Sequence, residues 1–171
     1  MPKPVKPPPP TKSTNLPSRI EVRDTYDPEG NLFRREEGYV DADGNFIRHG
    51  KLTNYWKSGA KKSEVTFVHG VKRGERWAWY EDGQKWSYGY YDENGLEHGT
   101  WITWYPNGKK ALEFTMEHGA FNGPYMEWHP NGQLKRQFEY VHGKKQGLEI
   151  FWDENGNMVK TVEWVDGRPQ P

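Results

Sequence analysis

Cysteine is absent from the 171 residues. That excludes a disulfide framework, a thiolate metal site, a lipid-bearing Cys and a nucleophilic thiol. Excess charge is absent too. With 24 basic and 24 acidic residues, nothing is left over to neutralise a phosphate backbone, so nucleic acid is not an expected partner. Steering toward an anionic membrane surface is equally unsupported. No apolar run reaches the length of a transmembrane helix or a signal peptide, and the chain as read is expected to stay in the cytoplasm. Aliphatic residues are scarce: the hydrophobic fraction is 33% and mean hydropathy is −1.12. A featureless chain of that composition would be disordered.

What is present instead is aromatic. Nine Trp, ten Tyr and seven Phe are far more than disordered segments carry, and with few Leu and Ile they fit a thin sheet better than a thick core. Residues 1–19 are different, MPKPVKPPPPTKSTNLPSR. This Pro-rich stretch reads as an extended polyproline II tail, a tether or a docking arm.

From residue 20 onward the chain repeats itself. Gly50, Gly74, Gly99, Gly123 and Gly147 recur at intervals of 24, 25, 24 and 24. Nine residues after each comes Gly59, Gly83, Gly108, Gly132 or Gly156, and a third set follows at Gly70, Gly95, Gly119, Gly143 and Gly167. Five residues after the first glycine stands Tyr55, Trp79, Trp104, Trp128 or Trp152. Periodicity of this kind marks a repeat architecture. Residues 20–49 read as a degenerate first unit, as expected of a terminal repeat.

Each unit reads as two strands. Val65/Phe67, Phe114/Met116, Phe138/Tyr140 and Val162/Trp164 alternate with polar residues, a period of two. Tyr105-Pro106-Asn107-Gly108 and His129-Pro130-Asn131-Gly132 carry turn chemistry. A three-residue loop ending at that glycine places Trp104 opposite Lys110, Trp128 opposite Leu134 and Trp152 opposite Met158. Strict alternation then puts Met126, Trp128, Leu134, Phe138 and Tyr140 on one face, and Tyr125, Glu127, Lys135, Gln137 and Glu139 on the other. The extra residue of the unit from Gly74 fits this scheme if it follows Gly83, with Trp86, Tyr88 and Tyr90 then on the apolar face. The predicted fold is all-β: a single-layer, twisted antiparallel sheet of eleven or twelve strands over 20–171, advancing about 10 Å per hairpin. Charges at the first strand and Arg168-Pro169-Gln170-Pro171 at the end defend its edges.

The pattern Gly-x-x-x-x-aromatic-aromatic-x-x-Gly, with segments such as Trp104-Tyr105-Pro106-Asn107-Gly108-Lys109 and Trp128-His129-Pro130-Asn131-Gly132-Gln133, resembles the MORN repeat and most nearly its bacterial variant. The resemblance covers about residues 20–168. It implies single-layer sheets acting as scaffolds and protein-binding modules, some connected with membranes or lipids, and an antitoxin or immunity label for many variant-type members. It carries no catalytic residue and no cofactor.

Candidate chemistry is sparse. His49, His69, His98, His118 and His142 each precede a glycine. Equivalent turns such as those of His118 and His142 stand about 10 Å apart, too far to share a zinc ion. These histidines are therefore expected to be turn residues, with no metal. Asp41-Ala42-Asp43-Gly44-Asn45 resembles the start of a calcium loop but lacks the distal Glu, and reads as a hairpin turn. No nucleophile motif or phosphate loop is present, so no enzyme is expected. The row Trp79, Trp104, Trp128 and Trp152 with Phe114, Phe138, Tyr140 and Trp164 is the expected partner-binding face, oriented by Arg76, Lys110 and Glu139. So large an apolar row exceeds what a monomer leaves bare, so a second copy, a partner protein or the tail is expected to cover part of it. The expected function is a non-enzymatic interaction or scaffold module. An antitoxin or immunity protein, an assembly subunit, a polysaccharide binder and a lipid-surface binder are the alternatives.

Overall fold

The computed structural model describes residues 19–171; the Pro-rich tail, apart from Arg19, lies outside the described residues. Thirteen strands run in chain order: β1 (Glu21–Tyr26), β2 (Leu32–Val40), β3 (Phe46–Tyr55), β4 (Lys61–Val68), β5 (Val71–Trp79), β6 (Lys85–Tyr91) and β7 (Gly99–Trp104). They continue with β8 (Lys110–Glu117), β9 (Ala120–Trp128), β10 (Leu134–Val141), β11 (Lys144–Trp152), β12 (Met158–Val165) and β13 (Arg168–Pro169). Each strand pairs with the next, giving one open antiparallel sheet in strict chain order. No helix among the described residues is long and apolar enough to cross a membrane.

Two kinds of turn alternate. At one end of the sheet Trp56–Gly59, Tyr80–Gly83, Tyr105–Gly108 and His129–Gly132 close by the same pair of backbone bonds. In the third, the N–H of Gly108 donates to the carbonyl of Tyr105 at 2.9 Å, and the N–H of Tyr105 to that of Lys109 at 2.8 Å. Gly108 sits at φ +79°, where a β-carbon is strained. At the other end His69-Gly70, His118-Gly119, His142-Gly143 and Asp166-Gly167 form two-residue turns with both residues at positive φ. This is the type I′ geometry that matches strand twist, and His is among the side chains that tolerate it.

The expected pairs Trp104–Lys110, Trp128–Leu134 and Trp152–Met158 are present. The face assignment drawn from them is not. Immediately beyond each pair the register slips by one residue, so that Thr103 faces Leu112 and Glu127 faces Arg136. The same one-residue bulge occurs in the hairpins closed at Tyr26, Tyr55, Trp79 and Trp152. A bulge leaves one residue unpaired and reverses the alternation after it. Hence Tyr125 shares a face with Phe138, and Met126 with Gln137: Met126 stays with Trp128 as expected, while Phe138 and Tyr140 pass to the other face.

Two further differences follow from turns. The extra residue of the unit from Gly74 lies not after Gly83 but in the β6–β7 connection, where Asp92-Glu93-Asn94-Gly95 replaces a two-residue turn. The C-terminal residues add a thirteenth strand: Trp164 pairs with Pro169 and Val165 with Arg168.

The hairpins are tied to one another at their turns. The residue after each strand-end aromatic donates to the carbonyl of that aromatic in the next unit. Trp56 Nε1 reaches Trp79 at 3.1 Å, the Tyr80 hydroxyl reaches Trp104 at 2.7 Å, the Tyr105 hydroxyl reaches Trp128 at 2.7 Å, and His129 Nε2 meets Trp152 at 2.9 Å. The β6–β7 seam has two ladder pairs between the strands, Ser87–Thr103 and Tyr88–Ile102, with a separate bridge between Tyr91 and Glu97 beside the turn. Here the buried Trp101 ring lies over Gly89, so that a β-carbon at 89 would run into the ring.

Two outcomes are expected in urea unfolding. Tyr105→Phe removes one inter-hairpin donor and lowers stability by about 1 kcal/mol. Gly89→Ala forces Trp101 off its seat and costs about 1–3 kcal/mol, although it relieves no positive φ and touches no turn.

Candidate functional site

The sheet carries aromatic residues on both faces, and the bulges decide which goes where. One face, the tryptophan face, holds Trp77, Trp79, Tyr88, Ile102, Trp104, Trp128 and Trp152, as the cross-strand pairs place them. Trp77 stacks on Trp79 at 6.5 Å and on Trp104 at 6.4 Å, and its ring is 4.6 Å from that of Tyr88. These tryptophans are half-buried. Lysines lie over three of them: Lys85 is 5.0 Å from the Trp77 ring, Lys110 is 5.6 Å from that of Trp128 and Lys61 is 6.0 Å from that of Trp79.

The opposite face holds Trp101, Phe114, Phe121, Tyr125, Phe138, Tyr140 and Trp164. Phe114 stands 6.3 Å from Trp101 and 6.2 Å from Tyr125, and Tyr125 is 4.5 Å from Phe138. Phe121 and Tyr140 stack at 4.7 Å. So the eight residues expected on one binding face are divided: Trp79, Trp104, Trp128 and Trp152 on one side, Phe114, Phe138, Tyr140 and Trp164 on the other. Phe138 is 3% exposed, so it holds the sheet together and offers a partner nothing.

This second face is covered by its own cations. Lys145 Nζ sits 4.2 Å from the Phe138 ring and 4.4 Å from that of Trp164. The Arg136 guanidinium lies 5.1 Å from Phe138 and 5.4 Å from Tyr125. Glu149, 2% exposed, neutralises them: its carboxylate accepts from Lys145 Nζ at 2.8 Å and from Trp164 Nε1 at 2.7 Å, with Arg136 Nε at 3.6 Å. Arg136 also bridges to Glu127 at 2.9 Å. Long cationic stems laid on rings remove apolar area from water while the charged ends stay paired. This cover was not legible in the sequence, where a bare apolar face was expected. The alternating charges of β9–β11 were its one visible trace.

The expected orienting charges behave differently from one another. Arg76 donates to Ser87 Oγ at 2.9 Å on the face opposite Trp104. Lys110 pairs with Glu113 at 2.6 Å beside Trp104. Glu139 is exposed. The Asp41–Asn45 segment is a hairpin turn, with Asp41 Oδ1 accepting from the N–H groups of Asp43 and Asn45. Those bonds hold its carboxyl below the ordinary range, the Asn45 N–H foremost.

The histidines are not evenly spaced. His118 and His142 do stand in equivalent turns, but the rings that approach come from different positions of neighbouring units. His49 and His69 lie 4.7 Å apart, and His98 and His118 4.9 Å apart. Beside the second pair is Asp92, a buried carboxyl that accepts from the N–H groups of Asn94 and Leu96 and meets His118 Nδ1 at 2.7 Å. Those bonds, that to His118 foremost, lower its pKa to about 2.

Removing the Glu149 carboxylate strands Lys145 and Arg136. Their side chains are 20% and 27% exposed, so the loss is smaller than for a fully buried pair. Glu149→Ala is expected to destabilise by about 2–4 kcal/mol, read as a fall in the urea midpoint. Glu113→Ala, whose partner Lys110 is 47% exposed, is expected to cost less than about 1 kcal/mol.

Comparison with known proteins gives a family for part of the chain. Residues 97–118, 121–142 and 145–166 each match the MORN repeat variant. No curated protein matches the sequence. Among solved structures, the GtfA/B complex bound to UDP and GlcNAc is 12% identical over 74% of this chain, with a TM-score of 0.28, and the chain spans 25% of that one. A protein with unknown function from Bacteroides fragilis is 16% identical over 87% of this chain and 94% of its own, with a TM-score of 0.21. Neither likeness bears on the activity. Strands β7–β12 thus carry three tandem matches to the MORN repeat variant, and hairpins of the same build precede them.

Proposed function

We propose that this chain is a non-enzymatic protein-binding module whose partner docks on the tryptophan face. The observation that carries the reading is the contrast between the two faces. The Phe138 side is capped by Lys145 and Arg136 and keyed by Glu149. The tryptophan side presents half-buried indoles along the sheet, under exposed lysines and with no second layer across them among the described residues. Trp and Tyr are the residues that dominate interface energetics when a partner completes their burial. Lys85, Lys110 and Glu113 beside them supply charge for orientation. Binding of proteins or membranes is the general business of MORN repeats. Here the zero net charge favours a protein over an anionic bilayer. Inhibitory docking of the antitoxin or immunity kind is a narrower form of the same proposal, supported only by the resemblance of the repeats.

The test compares wild type with a Trp104→Ala/Trp128→Ala variant that circular dichroism shows to be folded. Partners captured from native lysate by wild type are titrated against both proteins. A partner bound by wild type is expected to lose at least 2 kcal/mol, roughly a 30-fold weakening, on the double substitution. Equal affinity for both proteins rejects the tryptophan face.

A further inference from the structure

The rung of His98 and His118 departs from a pattern that three of the units keep. In three places the side chain before a unit's first glycine accepts the N–H of the two-residue turn twenty residues on. His49 Nδ1 accepts from His69 at 3.3 Å, Asn122 Oδ1 from His142 at 2.9 Å and Gln146 Oε1 from Asp166 at 3.0 Å. The equivalent pair is His98 and His118. There Nδ1 of His98 is buried with no hydrogen-bond partner among the described residues, and the His118 ring meets Asp92 Oδ2 through its own Nδ1 at 2.7 Å. A buried polar atom without a partner is costly, and here it stands beside two further metal-ligating groups. One donor atom each from Asp92, His98 and His118 lies within 4.8 Å of the others.

We propose that Asp92, His98 and His118 form a binding site for a divalent transition-metal ion of the zinc type, open on one side to water or to a group from a partner. The donor set fits the chemistry. Two imidazoles and one carboxylate are borderline ligands that suit Zn²⁺, and three protein ligands leave a fourth tetrahedral position. Bonds of about 2.0–2.1 Å put tetrahedral ligands roughly 3.4 Å apart, so Asp92 Oδ2 and His118 Nδ1, 2.7 Å apart, must open by about 0.7 Å and the widest pair must close by about 1.4 Å at most. His118 is exposed and can move. The ion takes the place of the proton shared by Asp92 Oδ2 and His118 Nδ1. The outer shell is already built: the N–H groups of Asn94 and Leu96 hold Asp92 Oδ1 at 2.8 and 3.0 Å and so fix the orientation of the carboxylate. Neither neighbouring rung repeats the set, because Asp92 belongs to a four-residue turn at the end of the sheet where β4–β5, β8–β9 and β10–β11 are joined by two-residue turns.

The experiment uses the full chain, freed of metal with a chelator and titrated with ZnCl₂ by calorimetry, with Co²⁺ absorption as a second readout. One ion per chain is expected. Asp92→Asn, which keeps the Oδ1 acceptor of the turn, and His98→Ala are each expected to weaken binding about tenfold or more, while His142→Ala leaves it unchanged. Imidazole NMR signals of the wild type give a reading that does not depend on any variant folding. Zn²⁺ is expected to shift His98 and His118 before His49, His69, His129 and His142. Absence of saturable binding, or equal perturbation of all six histidines, overturns the site.

Discussion

The described residues form a sheet one layer thick with no second layer among them, so each hairpin depends on the next. The backbone ladder supplies most of this coupling. The side chains add a bond of fixed period, from Trp56, Tyr80, Tyr105 and His129 to the carbonyl of the strand-end aromatic one unit ahead. Such a molecule is stabilised by nearest-neighbour contacts, as in other linear repeat proteins. Its first and last strands must then be made safe. At the C-terminal end a two-residue strand with Pro169 leaves little to pair with.

The bulge that follows each strand-end aromatic has the larger consequence. Without it, the indoles and the phenyl rings would share one broad apolar face, and the other face would be polar. With it, both faces are mixed. Each aromatic row is then interleaved with charged side chains from the same strands, so Lys85, Lys110, Arg136 and Lys145 can lie over rings. A layer of this kind can expose both sides to water. The division also leaves the two rows unlike: the cations over the Phe138 row are partly buried and neutralised by Glu149, whereas the lysines over the tryptophan row are exposed.

The fold was legible because its signals are local and repeated. Glycines at fixed offsets, Pro-Asn-Gly turns and period-two strands give hairpins in chain order, and the pairs beside the turns, such as Trp128 with Leu134, follow from loop length. The site was legible only in part. A residue count cannot show that Lys135 is skipped in the pairing, and one skipped residue moves Phe138 and Tyr140 away from Trp128. The position of the extra residue was misjudged for a related reason. Glycine spacing bounds it only to the stretch between Gly83 and Gly95, and backbone pairing of Gly74 with Tyr91 places it beyond Tyr91. The approach of His98 to His118 was missed because the comparison was made between equivalent turns. The rings that meet belong to unlike positions twenty residues apart.

Repetition itself helps to separate structure from function. A contact found in every unit, such as the strand-end carbonyl bond, is what any such sheet needs, and by itself it identifies no ligand. A departure in one unit asks for a reason. The longer turn at Asp92–Gly95 breaks the period and sits next to the seam with two ladder pairs between its strands. It also introduces the carboxylate that meets the His118 ring beside His98. Trp101, packed over Gly89 and edge-on to Tyr91 at 5.5 Å, stiffens the seam where the ladder is thin. The unit that gives up backbone pairing and leaves a ring nitrogen unpartnered is therefore also the one that gathers an aromatic brace and a set of convergent donors. Ligand chemistry accounts for this combination of a cost and a support, which the needs of the repeat alone do not.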